Sequence, residues 1–184
     1  MLYTRKGDNG TTKTFGCDQR ISKSSSISEA LGSMDEINSF LGLCKIKAKT
    51  EKLILPDGET ASSAVHNVQK NLFIIQAELA GSKMSITEEK IKEIEKIIDA
   101  IEKELPPIKS FFISGGTELA STFDIARTIA RRAERRVVGV AEEGKIEVND
   151  FSKAYLNRLS SLLYALARLS NHKFGITEDS PDYK

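Results

Sequence analysis

The sequence predicts an all-α protein built as a bundle of five helices. Apolar residues recur at steps of three and four along five long segments, which is the spacing of amphipathic helices. Proline stands only at positions that punctuate those segments: Pro56, Pro106, Pro107 and Pro181. With 184 residues, 40% of them hydrophobic, the chain can bury one sizeable core and is too short for two ordinary domains. We therefore predict a single domain over residues 1–184, with an N-terminal loop (1–26), a helical bundle (27–172) and a tail (173–184).

The first two predicted helices are defined by their apolar stripes. The first runs from Ile27 to about Lys47 and places these residues on one face: Leu31, Met34, Ile37, Leu41 and Cys44. The second lies between residues 61 and 82 and repeats the spacing with another set: Val65, Val68, Leu72, Ile75 and Leu79. Gly81 is the expected C-terminal stop of this helix.

The third predicted helix begins after a capping-box signature, Ser85 followed by Glu88, and ends before Pro106-Pro107. Its apolar stripe comprises Ile91, Ile94, Ile98, Ile101 and Leu105. It is the most heavily charged of the five, and its charges alternate in sign at helical spacing. Such a pattern is typical of an outer helix with a solvated face.

The fourth predicted helix, residues 117–140, has small residues in its apolar seam. Three of the seven seam positions are alanine, namely Ala126, Ala130 and Ala133, so neighbouring helices can approach closely and the helix should be central. The fifth helix starts near Asn149-Asp150, a good pair for capping, and continues on a stripe of leucines. The remaining tail is short and polar, and we expect it on the surface or frayed.

Composition excludes several classes of function. Lys and Arg number 27 against 26 Asp and Glu, a net charge of +1, so any basic site must be local and nucleic-acid binding is not expected. The two cysteines lack CxxC spacing, which predicts one loop thiol, Cys17, and one buried helix thiol, Cys44. No apolar run approaches the roughly 20 residues that cross a membrane, and the N-terminus lacks an apolar signal region. The default prediction is a cytoplasmic protein.

A row of cations follows the fourth helix. Arg127, Arg131 and either Glu134 or Arg135 recur at helical spacing, and five arginines fall within ten residues with only Glu134 opposing them. Some of these arginines need an anionic partner, which is either a carboxylate of a neighbouring helix or subunit or a bound anion. On the fifth helix four residues recur opposite the leucines: Asn157, Ser161, Tyr164 and Arg168. Taken alone, this second row is expected to face solvent.

The N-terminal stretch "YTRKGDNGTTKTFG", Tyr3 to Gly16, combines cations, an aspartate and three glycines. Glycine permits the left-handed conformations that gather backbone N–H groups around an anion, and Thr4, Arg5, Thr11 and Thr12 supply further donors. Asp8 is the candidate ligand for Mg²⁺, which prefers one carboxylate plus phosphate oxygens to an all-protein cage. The stretch has neither GxxxxGK[ST] nor GxGxxG, and a flexible turn of Gly, Asn and Asp is the alternative.

Four segments together carry a resemblance to a known family. These are "YTRKGDNGTT", "EALGSMDEINSFLG", "FFISGGTELASTFDIARTIARRAERRVV" and "YLNRLSSLLYALAR". In order, spacing and nearly full coverage of the chain they resemble the PduO-type ATP:cob(I)alamin adenosyltransferases. The resemblance implies a five-helix bundle that assembles as a homotrimer with active sites between subunits. It also implies transfer of the 5′-deoxyadenosyl group of ATP to cob(I)alamin, which yields adenosylcobalamin and triphosphate.

The resemblance implies roles for individual residues. Binding of ATP and its triphosphate with Mg²⁺ falls to the N-terminal loop: Thr4, Arg5, Gly7, Asp8, Gly10 and Thr11. Further ATP-site residues are Lys23, Arg127, Arg131, Glu134 and Asn157. Arg127 also matches one partner of an intersubunit salt bridge whose acid corresponds to Asp35. Phe111 matches the aromatic residue that displaces the lower axial base of the corrinoid, and Phe112 competes for that assignment.

The chain departs from the family pattern at three positions. Ser114 stands where a proline commonly precedes the glycine pair, Asp124 where many members have histidine, and Phe123 where they have leucine. The serine puts the pose of Phe111 in question, since it can loosen the backbone before Gly115.

Two other functions stay open. An ATP-binding regulatory trimer would keep the loop and the arginines without productive corrinoid chemistry, and a purely structural bundle would need neither. For the enzyme, the implied partners are a corrinoid reductase and an adenosylcobalamin-dependent enzyme. A general base or a protein nucleophile is not required, because cob(I)alamin is itself a strong nucleophile.

Overall fold

A computed structural model describes residues 2–14 and 19–183 of the chain. Five helices dominate it: α1 Ser26–Thr50, α2 Ala61–Leu79, α3 Glu88–Glu104, α4 Glu118–Glu142 and α5 Asp150–Lys173. The prediction of an all-α bundle with five helices is thereby confirmed. A short antiparallel hairpin precedes them, with β1 (Thr11–Lys13) paired to β2 (Arg20–Ser22) so that Thr12 lies opposite Ile21. The hairpin falls in the segment predicted as a loop, where the β-branched residues Thr11, Thr12 and Ile21 favour extended backbone.

The helices pack side by side in the order α2, α1, α4, α5, α3. Helix α4 contacts α1 on one side and α5 on the other, α1 also packs on α2, and α5 packs on α3. Ala126, Ala130 and Ala133 are buried along these interfaces, so their small side chains permit the close approach of α1 and α5. The predicted central position of α4 is correct.

The core is one continuous apolar cluster to which all five helices contribute. The predicted stripes supply most of it, including Met34, Leu72 and Ile101, which are fully buried. Leu31 and Ile98 lie at the margins of their stripes and are only partly buried. Cys44 is buried as expected, and burial raises the pKa of its thiol to about 12, so it stays protonated and unreactive. Cys17 lies outside the described residues.

The N-terminal cap of α3 differs from the sequence prediction. Thr87 is the N-cap residue and Glu88 the first helical residue, so Ser85 lies outside the helix and a capping box between Ser85 and Glu88 does not form. The side chain of Thr87 makes no capping hydrogen bond to the helix. Glu89 in the first turn accepts hydrogen bonds instead, from its own backbone N–H and from the side chain of Thr87, and they lower its pKa.

A buried carboxylate holds the beginning of α5. Glu78, at the end of α2, is 6% exposed and accepts hydrogen bonds from the backbone N–H of Asn149, at 2.8 Å, and from the hydroxyl of Ser152. These contacts satisfy backbone and side-chain donors at a helix N-terminus, where a negative charge is favourable. Among the described helices none has the length and hydropathy needed to cross a membrane.

Candidate functional site

A groove of about 590 Å³ opens where α4 and α5 meet the loop that joins α3 to α4. Its polar wall comes from the two helices: Arg127, Arg131, Ser160, Ser161 and Tyr164. A second wall comes from the loop: Ile108, Lys109, Ser110, Phe111, Phe112 and Ser114. Its three apolar side chains form an apolar wall in the same groove as the two arginines, which suits a ligand with one anionic part and one large apolar part.

Arg127 is half-buried in the polar wall and incompletely satisfied. Its Nε lies 3.5 Å from Oδ1 of Asp124, one turn back on α4, a distance that allows charge attraction without a hydrogen bond. Within the described residues this Nε has no hydrogen-bond acceptor. The guanidinium also lies over the ring of Tyr164, 5.9 Å from its centroid, which is near the limit of a cation–π contact. Arg127 therefore retains a buried donor that a bound anion can use.

Asp124 carries its charge at a cost. Burial raises the pKa of this carboxyl group, and Arg127, with a backbone N–H from Gly115, opposes the rise. Glu178 from the C-terminal tail adds to the rise by charge repulsion. Burial likewise raises the pKa of the neighbouring Tyr164 phenol. Asp124, which replaces the histidine of the family pattern, is thus a half-buried anion beside the groove.

Arg131 lies between this groove and a second recess of about 260 Å³. The recess is lined by residues of α4 and α5, among them Glu134, Arg135 and Asn157. Asn157 Nδ2 donates to Glu134 Oε1 at 3.1 Å, so the fold joins two residues that the sequence places 23 positions apart. The Arg131 side chain is exposed and has no ion pair or hydrogen bond with any described residue. It is an open cation in contact with both cavities.

The sequence left two kinds of partner open for these arginines, a carboxylate of a neighbouring helix or subunit and a bound anion. The arginines of the row differ in this respect. Arg132 is satisfied by a carboxylate of a neighbouring helix, since both oxygens of Glu36 on α1 lie 2.6 Å from its NH2. Arg131 is not satisfied in this way within the described chain. Asp35, beside Glu36, is exposed on α1, and within one chain the acid that lies next to Arg127 is Asp124 rather than Asp35.

The loop wall distinguishes Phe111 from Phe112. Phe111 is 81% exposed, whereas the ring of Phe112 is covered by the guanidinium of Arg168, which lies 4.9 Å from its centroid. Phe111 is thus the aromatic residue free to contact a ligand, and Phe112 belongs to the support of the loop. Arg168 is itself 6% exposed, so the expectation that its row on α5 faces solvent is wrong at this residue.

The glycine pair after this loop is held in a fixed conformation. Gly115 has φ +138° and Gly116 φ +103°, values that residues with a Cβ atom rarely adopt. Asn171 on α5 donates to Gly115 O at 2.9 Å and accepts from the Thr117 N–H at 3.0 Å. A Cβ atom on Gly116 would lie 2.2 Å from Asn171 Oδ1. Despite Ser114, the backbone is therefore fixed on the helical side of the loop.

The N-terminal segment forms a compact turn joined to the hairpin. Backbone N–H groups of Asp8 and Gly10 donate to Arg5 O and Gly7 O, both at 3.2 Å, and Gly10 has φ +76°. A Cβ atom on Gly7 would lie 3.0 Å from Lys23 Nζ, so the lysine ammonium sits directly over this glycine. Asp8 is exposed beside them. From the predicted set, the structure thus places Lys23 against Gly7, with Asp8 exposed beside them and Gly10 in a left-handed conformation.

Arg20 organises this segment, a role that no residue pattern in the sequence predicts. Its Nε donates to Thr11 Oγ1 at 2.6 Å, and its NH2 donates to Thr11 O at 2.8 Å and to Lys6 O. Asn9 Oδ1 also accepts from the Thr11 hydroxyl at 2.7 Å. The Thr11 hydroxyl is therefore engaged within the segment. Thr4 is exposed, and Arg5 lies over the ring of Tyr3 at 5.4 Å.

The N-terminal segment and the aromatic loop lie at opposite ends of α4. Ser26, which begins α1, donates to Glu143 at the end of α4 at 2.8 Å, and the aromatic loop leads into Thr117 at its start. Those two caps are about 39 Å apart along the helix axis, at about 1.5 Å per residue. The N-terminal segment and the aromatic loop are thus far apart within one chain, whereas the recess that contains Arg131 extends along α4 to Glu142, beside Glu143.

No cluster of three or more His, Cys, Asp or Glu side chains within residues 2–14 and 19–183 could hold a metal ion. Asp8 is a single exposed carboxylate near a lysine and backbone N–H groups. One carboxylate fits Mg²⁺ that arrives with phosphate oxygens, and it does not fit a site where protein ligands alone hold the ion.

The fold and the groove define a five-helix protein with an exposed arginine, unpaired within the described chain, beside an exposed aromatic loop. Comparison with known proteins places it more narrowly. The profile of the cobalamin adenosyltransferase family matches residues 2–170. The chain belongs to this family.

Curated relatives and solved structures agree with this assignment. The corrinoid adenosyltransferase PduO of Citrobacter freundii is 40% identical over 178 residues, covering 93% of this chain, which spans about half the length of that relative. The corrinoid adenosyltransferase of Bacillus subtilis is 38% identical over 179 residues, 95% of this chain and 89% of its own. A variant of the PduO-type ATP:corrinoid adenosyltransferase from Lactobacillus reuteri, solved with cobalamin and ATP, has 29% identity and a TM-score of 0.86, covering 100% of this chain and 97% of its own.

Proposed function

We propose that this protein is a corrinoid adenosyltransferase that transfers the 5′-deoxyadenosyl group of ATP to cob(I)alamin. The observation that carries the proposal is that Arg131, unpaired among the described residues, and the exposed ring of Phe111 line one groove. A triphosphate requires a cation such as Arg131, and the face of a corrinoid suits the ring of Phe111. The relative from Lactobacillus reuteri was solved with both ligands, which supports the same pair of substrates here.

In the proposed reaction cob(I)alamin supplies the nucleophile. Its cobalt donates an electron pair to C5′ of ATP, a cobalt–carbon bond forms, and the C5′–O bond breaks with its electrons leaving on triphosphate. Cobalt(I) becomes formally cobalt(III), and no protein base has to accept a proton. The chain's contribution is to bind both substrates, align C5′ with cobalt and stabilise the leaving group.

Arg127 and Arg131 are assigned to the leaving triphosphate. Both project into the groove from one face of α4, and both have donor capacity that the described chain leaves unused. Because their position is fixed by the buried alanine seam, they are preorganised for charge that develops as the C5′–O bond breaks. Glu134 and Asn157, joined at 3.1 Å, are assigned to the ATP in the adjoining recess.

The N-terminal segment is assigned to the phosphates from the other side. Its residues are Thr4, Arg5, Gly7, Asp8, Gly10, Thr11 and Lys23. Lys23 Nζ above Gly7 supplies positive charge, and Asp8 would help to hold Mg²⁺ that arrives with the phosphates. The magnesium ion would lower the charge repulsion among the phosphate oxygens.

Phe111 is assigned to the corrinoid. By family resemblance this ring displaces the lower axial base, which leaves a four-coordinate cobalt that is easier to reduce. Its exposure, together with the fixed glycine pair behind it, supports that role. Ser114 departs from the family pattern and does not contribute to the assignment, whereas Asp124 bears on the site only through its contact with Arg127.

The homotrimer is part of the proposal because the family resemblance implies it and because one chain does not bring its N-terminal segment to its own aromatic loop. The N-terminal segment is anchored at one end of α4 and the aromatic loop at the other, about 39 Å away at about 1.5 Å per residue. A ring of three identical chains lets the N-terminal segment of one subunit meet the groove of the next. The exposed Asp35 is then available for Arg127 of a neighbouring chain. The proposal also includes a single domain that acts in the cytoplasm. A corrinoid reductase would supply its substrate, and an adenosylcobalamin-dependent enzyme would receive its product.

The test is an anaerobic mixture of the purified protein, MgATP and chemically reduced cobalamin. We expect loss of cob(I)alamin absorbance, with adenosylcobalamin and triphosphate appearing in equal amounts on chromatography. ATP binding without either product would overturn the enzyme assignment in favour of a regulatory trimer. Absence of ATP binding would leave a structural bundle.

A further inference from the structure

The C-terminal tail, residues 174–183, is attached to the aromatic loop, residues 106–114. Arg168 on α5 forms the centre of the attachment. Its Nε donates to Glu178 Oε2 of the tail at 2.8 Å, and its NH2 donates to the backbone oxygen of Pro106 at 3.2 Å. Its guanidinium also covers the ring of Phe112 at 4.9 Å. One side chain therefore contacts the tail, the start of the loop and the residue beside Phe111.

Two further contacts join the tail to the loop directly. The backbone N–H of Ile113 donates to Asp179 O at 2.8 Å, and the hydroxyls of Ser110 and Ser180 lie 2.7 Å apart. These contacts bracket Phe111 on both sides along the sequence. The tail itself leaves α5 through a hydrogen bond from Ile176 N to Asn171 O at 2.9 Å. It remains on the surface, as expected, but it is bonded to the loop rather than frayed.

The charges make this attachment specific. The side chains of Arg168 and Glu178 are 7% and 16% exposed, so neither charge is well solvated. Removing the carboxylate leaves a buried guanidinium without its ion-pair partner, which is strongly unfavourable. Docking of the tail is therefore coupled to the burial of Arg168, and through Arg168 to the position of Phe112.

We propose that the C-terminal tail is a positioning element for the aromatic loop, with the pair Arg168–Glu178 as its attachment point. The proposal rests on the proposed function and deepens it, because it assigns the pose of Phe111 to residues that do not contact either substrate. The tail sets how the apolar wall meets the corrinoid, while the ATP side of the groove depends on α4. Glu178 is thus a positioning residue.

The proposal is tested with Glu178→Gln and Glu178→Lys, the second of which places two cations together. The control is Glu104→Gln, which removes an acid that pairs with Lys173 at the same end of α5 and makes no hydrogen bond or ion pair with the described part of the tail. Hydrogen exchange is measured on peptides that cover residues 106–116. In both Glu178 variants we expect faster exchange of the Ile113 amide, with exchange in the helices unchanged.

Steady-state kinetics provide the second readout. We expect kcat/KM for the corrinoid to fall by about tenfold or more in both Glu178 variants, since small displacements of a positioned group are costly. The Kd for MgATP should stay within about twofold of wild type because the arginine row is untouched. Glu104→Gln should match wild type in both measurements.

The outcomes separate the two claims. If wild-type protein forms no adenosylcobalamin, the proposed function fails, while the exchange data still decide whether the tail positions the loop. If wild type is active and the Glu178 variants keep both Ile113 protection and corrinoid kcat/KM, the tail does not position the loop. Equal losses in corrinoid and ATP parameters would also overturn the proposal, since they indicate general destabilisation.

Discussion

Arg127 and Asp124 lie one turn apart on α4, with the arginine Nε 3.5 Å from a carboxylate oxygen that is mostly withdrawn from solvent. The acid is close enough to offset the charge of Arg127 and too poorly placed to use its Nε hydrogen. A buried donor without an acceptor costs free energy that a bound anion can recover. The pair therefore keeps Arg127 folded into the wall while leaving it able to bind phosphate.

The first prediction concerns the pH dependence of stability at Asp124. Burial raises the pKa of this carboxyl in the folded protein above the ordinary value of 3.8. The folded state then holds more protons than the unfolded state between those two pKa values, so the free energy of unfolding falls as pH rises through that window. Asp124→Asn lacks this decline. Relative to wild type, its melting temperature should improve as pH is raised from about 3.5 to 7.

Asp150 is the control for the predicted direction in which stability changes with pH. It is exposed at the start of α5, and its hydrogen bond with Lys153 lowers its pKa. Its stabilisation is present above pH 3.8 and is lost as pH falls through the lowered value, so Asp150→Asn should show the opposite trend. A melting difference between Asp124→Asn and wild type that stays constant with pH would contradict the account of Asp124.

The second prediction is that Arg131→Ala abolishes adenosyl transfer without altering the helices. Its side chain is exposed and has no partner among the described residues, so truncation removes no internal contact. We expect a loss of about 100-fold or more in kcat, the scale of removing one preorganised donor to developing charge. Circular dichroism should be unchanged. Arg136→Ala, on another face of α4, is the control, and retention of most activity by Arg131→Ala would refute the phosphate role.

The third prediction concerns Gly116. Its φ of +103° and the 2.2 Å approach of a built Cβ atom to Asn171 Oδ1 leave no room for a side chain. Gly116→Ala should lower the free energy of unfolding by about 1–3 kcal/mol, the cost of one strained backbone position. Urea titration measures the change. Gly32→Ala on α1, where nothing lies within 4 Å, should instead be stabilising by about 0.5–1 kcal/mol.

The fourth prediction is that Glu78→Gln destabilises the junction of α2 and α5. The buried carboxylate accepts from Asn149 N and the Ser152 hydroxyl, and an amide replaces one acceptor oxygen by a donor. We expect a loss of about 1–3 kcal/mol in urea titration. Ser152→Ala removes one donor only and should cost less, and a Glu78→Gln protein as stable as wild type would show that the cap is dispensable.

The periodic part of the fold could be predicted from the sequence. Five apolar stripes, with the proline and glycine residues that end them, define five helices. Burial of one helix face requires apolar residues at steps of three and four, and this spacing is visible in the sequence. The alanine seam of α4 placed that helix at the centre for the same reason. The hairpin around Thr12 and the capping of α3 at Thr87 could not be read in this way, since short strands and caps depend on single contacts.

The parts of the site that consist of side chains at helical spacing could be predicted from the sequence. The parts that depend on hydrogen bonds to backbone groups could not. The spacing of Arg127 and Arg131 located the polar wall. The roles of Arg20, Arg168 and Asn171 rest largely on bonds to backbone oxygens and N–H groups distant in sequence, for which no residue pattern exists. Burial of Arg168 could not be foreseen because the tail that covers it reads as an ordinary polar end.

The central claim is that each site joins the N-terminal segment of one chain to the polar wall of another. Mixed assemblies test this claim most directly. One chain carries Arg5→Ala with Asp8→Asn, the other carries Arg131→Ala, and each is expected to be inactive alone. The two are co-expressed with different affinity tags, and assemblies containing both are isolated. In a closed ring of three, either mixed composition keeps one interface intact, so we predict about one third of wild-type adenosylcobalamin formation. Mixed assemblies as inactive as their parents would contradict the account.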